Sequence, residues 1–307
     1  MLKEYPKISY SQLFCMLMIS RLSSEIVYPR TASGTASEAV LALVISELVR
    51  FLLALPLIVY SFGGSNVHRS VYEKSRVLGW TGAVFAALFL VAAALRTMFS
   101  LSQFAVKSML PGGAMWIVFA LAAIFAVYAA FSGTEALARS GAIFLAAAAV
   151  ITVIVMIADI PFITKQSFEN FLTVGNRASL WSDVIERVMR GGDYLIFAAM
   201  LPYVSRNRKS ELGRTAILFA VFSTLAALAV CAFNCLVLRG MYGRTEYPFL
   251  AAASLSDISL FKRLDGFAAA VWSLCAAFRC GVLLMSAGCA LGEIYKASKS
   301  RKKEAAS

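Results

Sequence analysis

The stretch LWSDVIERVMRGGDYLIFAAMLPYVS, residues 180–205, decides how this chain is read. It is long enough to cross a bilayer as a helix, yet Gly191-Gly192-Asp193 interrupts it midway. A second stretch, SQLFCMLMISRLSSEIVYP at residues 11–29, is interrupted at Arg21-Leu22-Ser23-Ser24-Glu25. A helix break inside a bilayer leaves backbone groups with no water to satisfy them, so it persists only where it is buried in protein or lines a cavity. Interrupted spans at comparable positions of two halves point to a transporter-type binding site at mid-membrane.

Composition agrees with a membrane setting. The 307 residues are 60% hydrophobic and 15% charged, with a mean hydropathy of +0.76. The apolar runs are continuous rather than alternating, which selects helices over a β-barrel. The class is therefore an all-α polytopic membrane protein in contact with the lipid bilayer. A net charge of +12 raises the question of nucleic acid, but the basic residues fall in loops and in the C-terminal stretch. Topology signalling and anionic headgroups account for that placement, and no nucleic-acid partner is expected. All six cysteines lie in apolar spans without a CxxC pair, and the single histidine, His68, lies in a polar loop. No metal, cofactor or disulfide framework is expected. No Walker loop, HExxH, GxSxG or acidic calcium loop occurs, so an enzyme is not expected.

Eight spans are predicted, at about 11–29, 38–62, 79–104, 114–131, 139–161, 180–205, 214–238 and 265–291. The bias of Lys and Arg toward one side places both termini in the cytoplasm, with residues 1–292 as the membrane domain and 293–307 as a basic cytoplasmic tail. That tail, after Tyr295, is expected to be disordered or on the membrane surface. Ile258, Leu260, Phe261 and Leu264 have near-helical spacing and predict a short interfacial amphipathic helix.

Ionisable groups within a membrane are costly and are functional candidates by default. Arg21 and Glu25 stand four apart and could pair along a helix, while Ser23 and Ser24 offer hydroxyls to freed backbone groups. Glu47 and Arg50, three apart, are expected mainly to pair with each other. Gly191 and Gly192 allow the backbone to break. Asp193 then either caps the following half-helix or meets a ligand. Arg279, with Trp272 seven residues earlier on the same face, needs a carboxylate such as Glu25 or Asp193, backbone carbonyls, or water. Arg96 either joins the site or snorkels outward. The candidate ligand-binding set is thus Arg21, Ser23, Ser24, Glu25, Arg96, Gly191, Gly192, Asp193, Trp272 and Arg279.

Four features carry a resemblance to a known family. They are ISYSQLF at 8–14, GTEALAR at 133–139, Tyr247-Pro248 with the stretch 258–265 and Trp272, and the placement of Arg279. Together they resemble the B-subunit family of bacterial spore germinant receptors, the endospore permeases of the amino acid–polyamine–organocation superfamily. The resemblance implies a LeuT/APC-like inverted-repeat bundle of ten spans with the first and sixth broken, here shortened to about eight transmembrane helices. It also implies an inner spore membrane location, A- and C-type receptor subunits as partners, and a small nutrient ligand, commonly an amino acid. The expected function is a permease-like subunit that senses such a nutrient, with or without transporting it. A secondary amino-acid transporter and a non-binding structural subunit are the alternatives.

Overall fold

Ser9 opens the first helix with a reciprocal cap: its hydroxyl accepts from the Gln12 backbone N–H at 3.2 Å, and the Gln12 side chain accepts from the Ser9 N–H at 2.9 Å. The helix that follows, α1 (Tyr10–Ile26), is the first of eleven α-helices that the computed structural model assigns among the residues it describes, 8–30, 35–62, 71–72, 75–172, 180–205, 209–256 and 264–304. The others are α2 (Ala36–Phe62), α3 (Arg76–Ser108), α4 (Met115–Phe131), α5 (Thr134–Asp159), α6 (Lys165–Leu172), α7 (Leu180–Met189), α8 (Asp193–Met200), α9 (Lys209–Leu238), α10 (Pro248–Ala253) and α11 (Asp265–Glu304). No strand occurs among the described residues. His68 and residues 257–263, with most of the expected interfacial helix, lie outside them.

Among the described residues, five stretches are long and apolar enough to cross a membrane: Ala36–Val59, Arg76–Ser108, Thr134–Phe162, Gly213–Arg244 and Asp265–Lys296. Met115–Phe131 is a shorter apolar helix. Of the five, the α11 stretch is 67% buried and the others 22–39%, so α11 is the central post around which the bundle is built. Small residues let it approach its neighbours, as expected where helices pack in lipid. A Cβ at Gly281 would stand 2.6 Å from that of Ala129 on α4, and the Cys280 thiol reaches the Ala94 carbonyl of α3 at 3.8 Å. The outer helix faces are leucine- and phenylalanine-rich, with Leu53, Phe85, Trp116 and Phe131 among the exposed side chains. So broad an apolar surface belongs in lipid.

Two sets of contacts tie the ends of the bundle. At one end Ile8 N–H donates to the Tyr203 carbonyl at 2.9 Å and Ser205 N–H to the Ile8 carbonyl at 3.0 Å, joining the start of α1 to the end of α8. At the other, Arg30 N–H donates to the Glu246 carbonyl at 2.8 Å, while Lys107 pairs with the Glu246 carboxylate at 2.6 Å. The region after Tyr295 is helical through Glu304 as a continuation of α11; of the two expectations for it, disorder is not met over those residues.

The sequence expectation of a break in the first span is corrected. α1 runs without interruption through Arg21 and Glu25. Those two side chains stand on one face and form an ion pair at 2.6 Å. The Ser23 and Ser24 hydroxyls donate back to the carbonyls of Ser20 and Arg21, at 3.0 and 2.7 Å. The polar residues thus satisfy one another along a continuous helix, and no freed backbone requires a cavity there.

Candidate functional site

The break at Gly191-Gly192 is present, between α7 and α8. Gly191 N–H folds back to the Val188 carbonyl at 3.0 Å, closing the last turn of α7. Gly192 is the N-cap of α8, with φ −150° and ψ −3°. Neither glycine has positive φ. Space is what requires Gly191: a Cβ there would lie 3.0 Å from the Val188 carbonyl oxygen and 3.2 Å from Cδ of Arg50. Gly192 is less constrained, its nearest neighbour being Leu283 Cδ2 at 3.4 Å.

Asp193 opens α8 but makes no side-chain cap. Its carboxylate instead accepts from the Ser20 hydroxyl of α1 at 2.8 Å and faces Arg279 Nη1 of α11 at 3.4 Å. The helix N-terminus favours that negative charge. Arg279 is fully buried; Nη1 also donates to the Ser20 carbonyl, and Nη2 donates to the Arg190 carbonyl at 2.8 Å. Of the partners expected for Arg279, Asp193 is therefore the one taken, together with two backbone carbonyls. Three segments, α1, the α7–α8 break and α11, meet at this guanidinium.

Beside it lies a larger charged network. Arg21 donates from Nε to Glu47 Oε1 at 3.1 Å, again from Nη2 to the same oxygen, and from Nη1 to Glu25 at 2.6 Å. Arg50 Nη1 stands 3.2 Å from Glu47, and its Nη2 donates to the Arg187 carbonyl at 2.7 Å. Arg187 pairs with Glu25 at 2.6 Å and with Asp183 at 3.4 Å. Arg190 pairs with Glu186 at 2.7 Å, donates to the Pro29 carbonyl at 2.9 Å, and stacks over the Tyr28 ring at 5.3 Å. Among the described residues, five buried arginines (21, 50, 187, 190, 279) therefore face five carboxylates (25, 47, 183, 186, 193), and Arg96 adds a further guanidinium at the edge, on Glu186. Burying charge is tolerable only with such pairing.

Of the residues singled out from sequence, Arg21, Ser24, Glu25, Gly191, Asp193 and Arg279 are brought together here. Ser23 bonds only along its own helix, to the Ser20 carbonyl. Arg96 sits at the edge, with a side chain 41% exposed that reaches Glu186 at 3.4 Å. Trp272 packs edge-on against Phe249, ring centroids 6.2 Å apart, and its indole N–H has no acceptor among the described residues. Glu47 and Arg50 do pair, as expected, but they also lock α2 onto α1 and α7.

The sequence reading missed Asp183, Glu186, Arg187 and Arg190. Their signal was present as a run at helical spacing, 183, 186, 187 and 190, which puts the first three on neighbouring positions of one helix and Arg190 directly after it. Beside this run a polar cavity of about 40 Å³ is lined by Glu25, Asp183, Arg187, Arg190 and Asn234. The Asn234 side-chain oxygen has no hydrogen-bond partner among the described residues.

No curated protein matches the chain in sequence. The model of a family described as spore germination protein matches residues 7–304, nearly its whole length. On that match, and with its long apolar helices, the chain belongs to the spore germination permease family, the germinant-receptor B-subunit type, and is a multi-pass, permease-like membrane protein.

Proposed function

We propose that the protein is the permease-like subunit of a spore nutrient germinant receptor, sensing a small nutrient such as an amino acid and signalling through A- and C-type partner subunits. The observation that carries this reading is the α7–α8 break, buried where α1, α2, α7, α8 and α11 converge and bordered by a polar cavity. A break of this kind exposes half-helix backbone groups and suits a ligand that carries charge at both ends, as an amino acid does. Sensing is favoured over transport because the ion pairs cross-link the helices that a transporter would have to rock against each other. The protein is placed in the inner spore membrane with both termini cytoplasmic, and no enzymatic step is assigned to it.

A second reading, a non-binding structural subunit, draws on a specific observation: the cradle at the break is filled by Arg279, the polar cavity near it holds only about 40 Å³, and the cavity that Gly191 and Gly192 themselves line, about 580 Å³, is apolar. Equilibrium binding of radiolabelled amino acids to the purified protein separates the two. The sensing reading expects saturable binding of at least one amino acid, weakened about tenfold or more in Asp193→Asn, the loss of one charge-assisted contact. No saturable binding of any of them supports the structural reading instead.

A further inference from the structure

We propose that the junction of α1, the α7–α8 break and α11 is a monovalent-cation site whose cation is built into the chain as the guanidinium of Arg279. The groups around that guanidinium are those that hold a cation where a helix breaks inside a membrane. They are the Ser20 carbonyl, the Arg190 carbonyl one residue after α7 ends, and the Asp193 carboxylate, itself held by the Ser20 hydroxyl. The Arg190 carbonyl follows directly on the last carbonyls of α7, which have no partner within the helix, and the C-terminal end of a helix favours positive charge. Asp193 at the start of α8 supplies the counter-charge. Arg279 is fully buried and comes from the central helix, so its cation is delivered from within the fold and cannot exchange with solution.

The charge balance agrees. Among the described residues the Asp193 carboxylate forms its ion pair with Arg279; without that guanidinium a buried carboxylate is left unpaired beside the break. An uncompensated buried carboxylate is strongly unfavourable, so some cation must occupy this position whenever the helices are packed as they are here. It follows that the packed bundle needs no sodium or potassium ion at the break, and that no ion gradient is read there. This inference goes beyond the sensing role and stands without it, because it concerns the protein with no nutrient present.

The test is thermal stability of the purified protein in detergent, followed by tryptophan fluorescence, with sodium, potassium, lithium or guanidinium chloride. All are added at low-millimolar concentration against a choline chloride control, far below denaturing levels. For the wild type none of the four is expected to shift Tm beyond choline. Arg279→Ala is expected to melt lower and to regain several degrees, saturably, with guanidinium, as linkage to a bound ligand requires. A saturable, choline-insensitive stabilisation of the wild type by sodium or potassium would overturn the proposal, since the site would then be open to a mobile ion. So would a folded Arg279→Ala that none of the four cations stabilises. If Arg279→Ala yields no folded protein, Arg279→Lys and Arg279→Gln decide: the charged lysine is expected to retain clearly the higher Tm, and equal values overturn the proposal.

Discussion

Glu47 is the carboxylate on which the network turns. One of its oxygens accepts twice from Arg21 and faces Arg50 at 3.2 Å, with the side chain almost wholly buried. Removing its charge leaves the Arg21 and Arg50 guanidiniums to Glu25 alone, 2.6 and 3.8 Å away, which Arg187 already engages. Glu47→Gln is therefore expected to destabilise the protein by about 3–5 kcal/mol. The Glu135–Arg139 pair is the internal control, because it has the same chemistry on an exposed surface. Arg139→Gln is expected to cost less than about 1 kcal/mol, since solvent screens such a pair. Denaturant titration of the two variants in the same detergent measures both; equal losses would mean that the buried cluster contributes no more than a surface pair. At this scale Arg21 and Glu25 were legible as partners from their spacing. Glu47 was legible only as a partner of Arg50, because a cross-helix contact leaves no trace in the spacing along one helix.

Among the helices, the α7–α8 break is held open by packing rather than by glycine's left-handed freedom. Gly191→Ala forces a methyl against the Val188 carbonyl and the Arg50 stem, and is expected to cost about 1–3 kcal/mol. Gly82 on α3 has nothing within 4 Å of its would-be Cβ, so Gly82→Ala is expected to be neutral or stabilising by up to about 1 kcal/mol. Thermal melts of the two variants check the contrast, and a neutral Gly191→Ala would remove the close-approach argument. The break itself could be read from residues 191–193, because glycine pairs are poor helix formers and the flanking runs are apolar. The break expected in α1 could not be distinguished from a continuous helix by composition. Polar residues interrupt an apolar pattern in either case, and only the hydrogen bonds that Ser23, Ser24 and Arg21 make within their own turn decide it. The α7 charges were not singled out because their partners lie on other helices, and the buried face of this short amphipathic helix becomes evident only once α1 and α2 are placed against it.

For the whole molecule, composition alone indicated a helical membrane protein, since long apolar runs have no other stable arrangement in lipid. What composition could not give is the role of α11, whose burial comes from the neighbours it touches rather than from its own hydropathy. The proposed orientation is tested with a fluorescent protein fused after residue 307 in a bacterial host. The fusion is expected to fluoresce, as folding in the cytoplasm allows, and a dark fusion with an exported reporter active at the same point would invert the topology. The central claim is that this bundle senses a nutrient without moving it. The direct measurement is uptake of radiolabelled amino acids by the purified protein in proteoliposomes, under imposed sodium and proton gradients, alongside equilibrium binding. Saturable binding without accumulation above the level of empty vesicles is the predicted result; gradient-driven accumulation would contradict it.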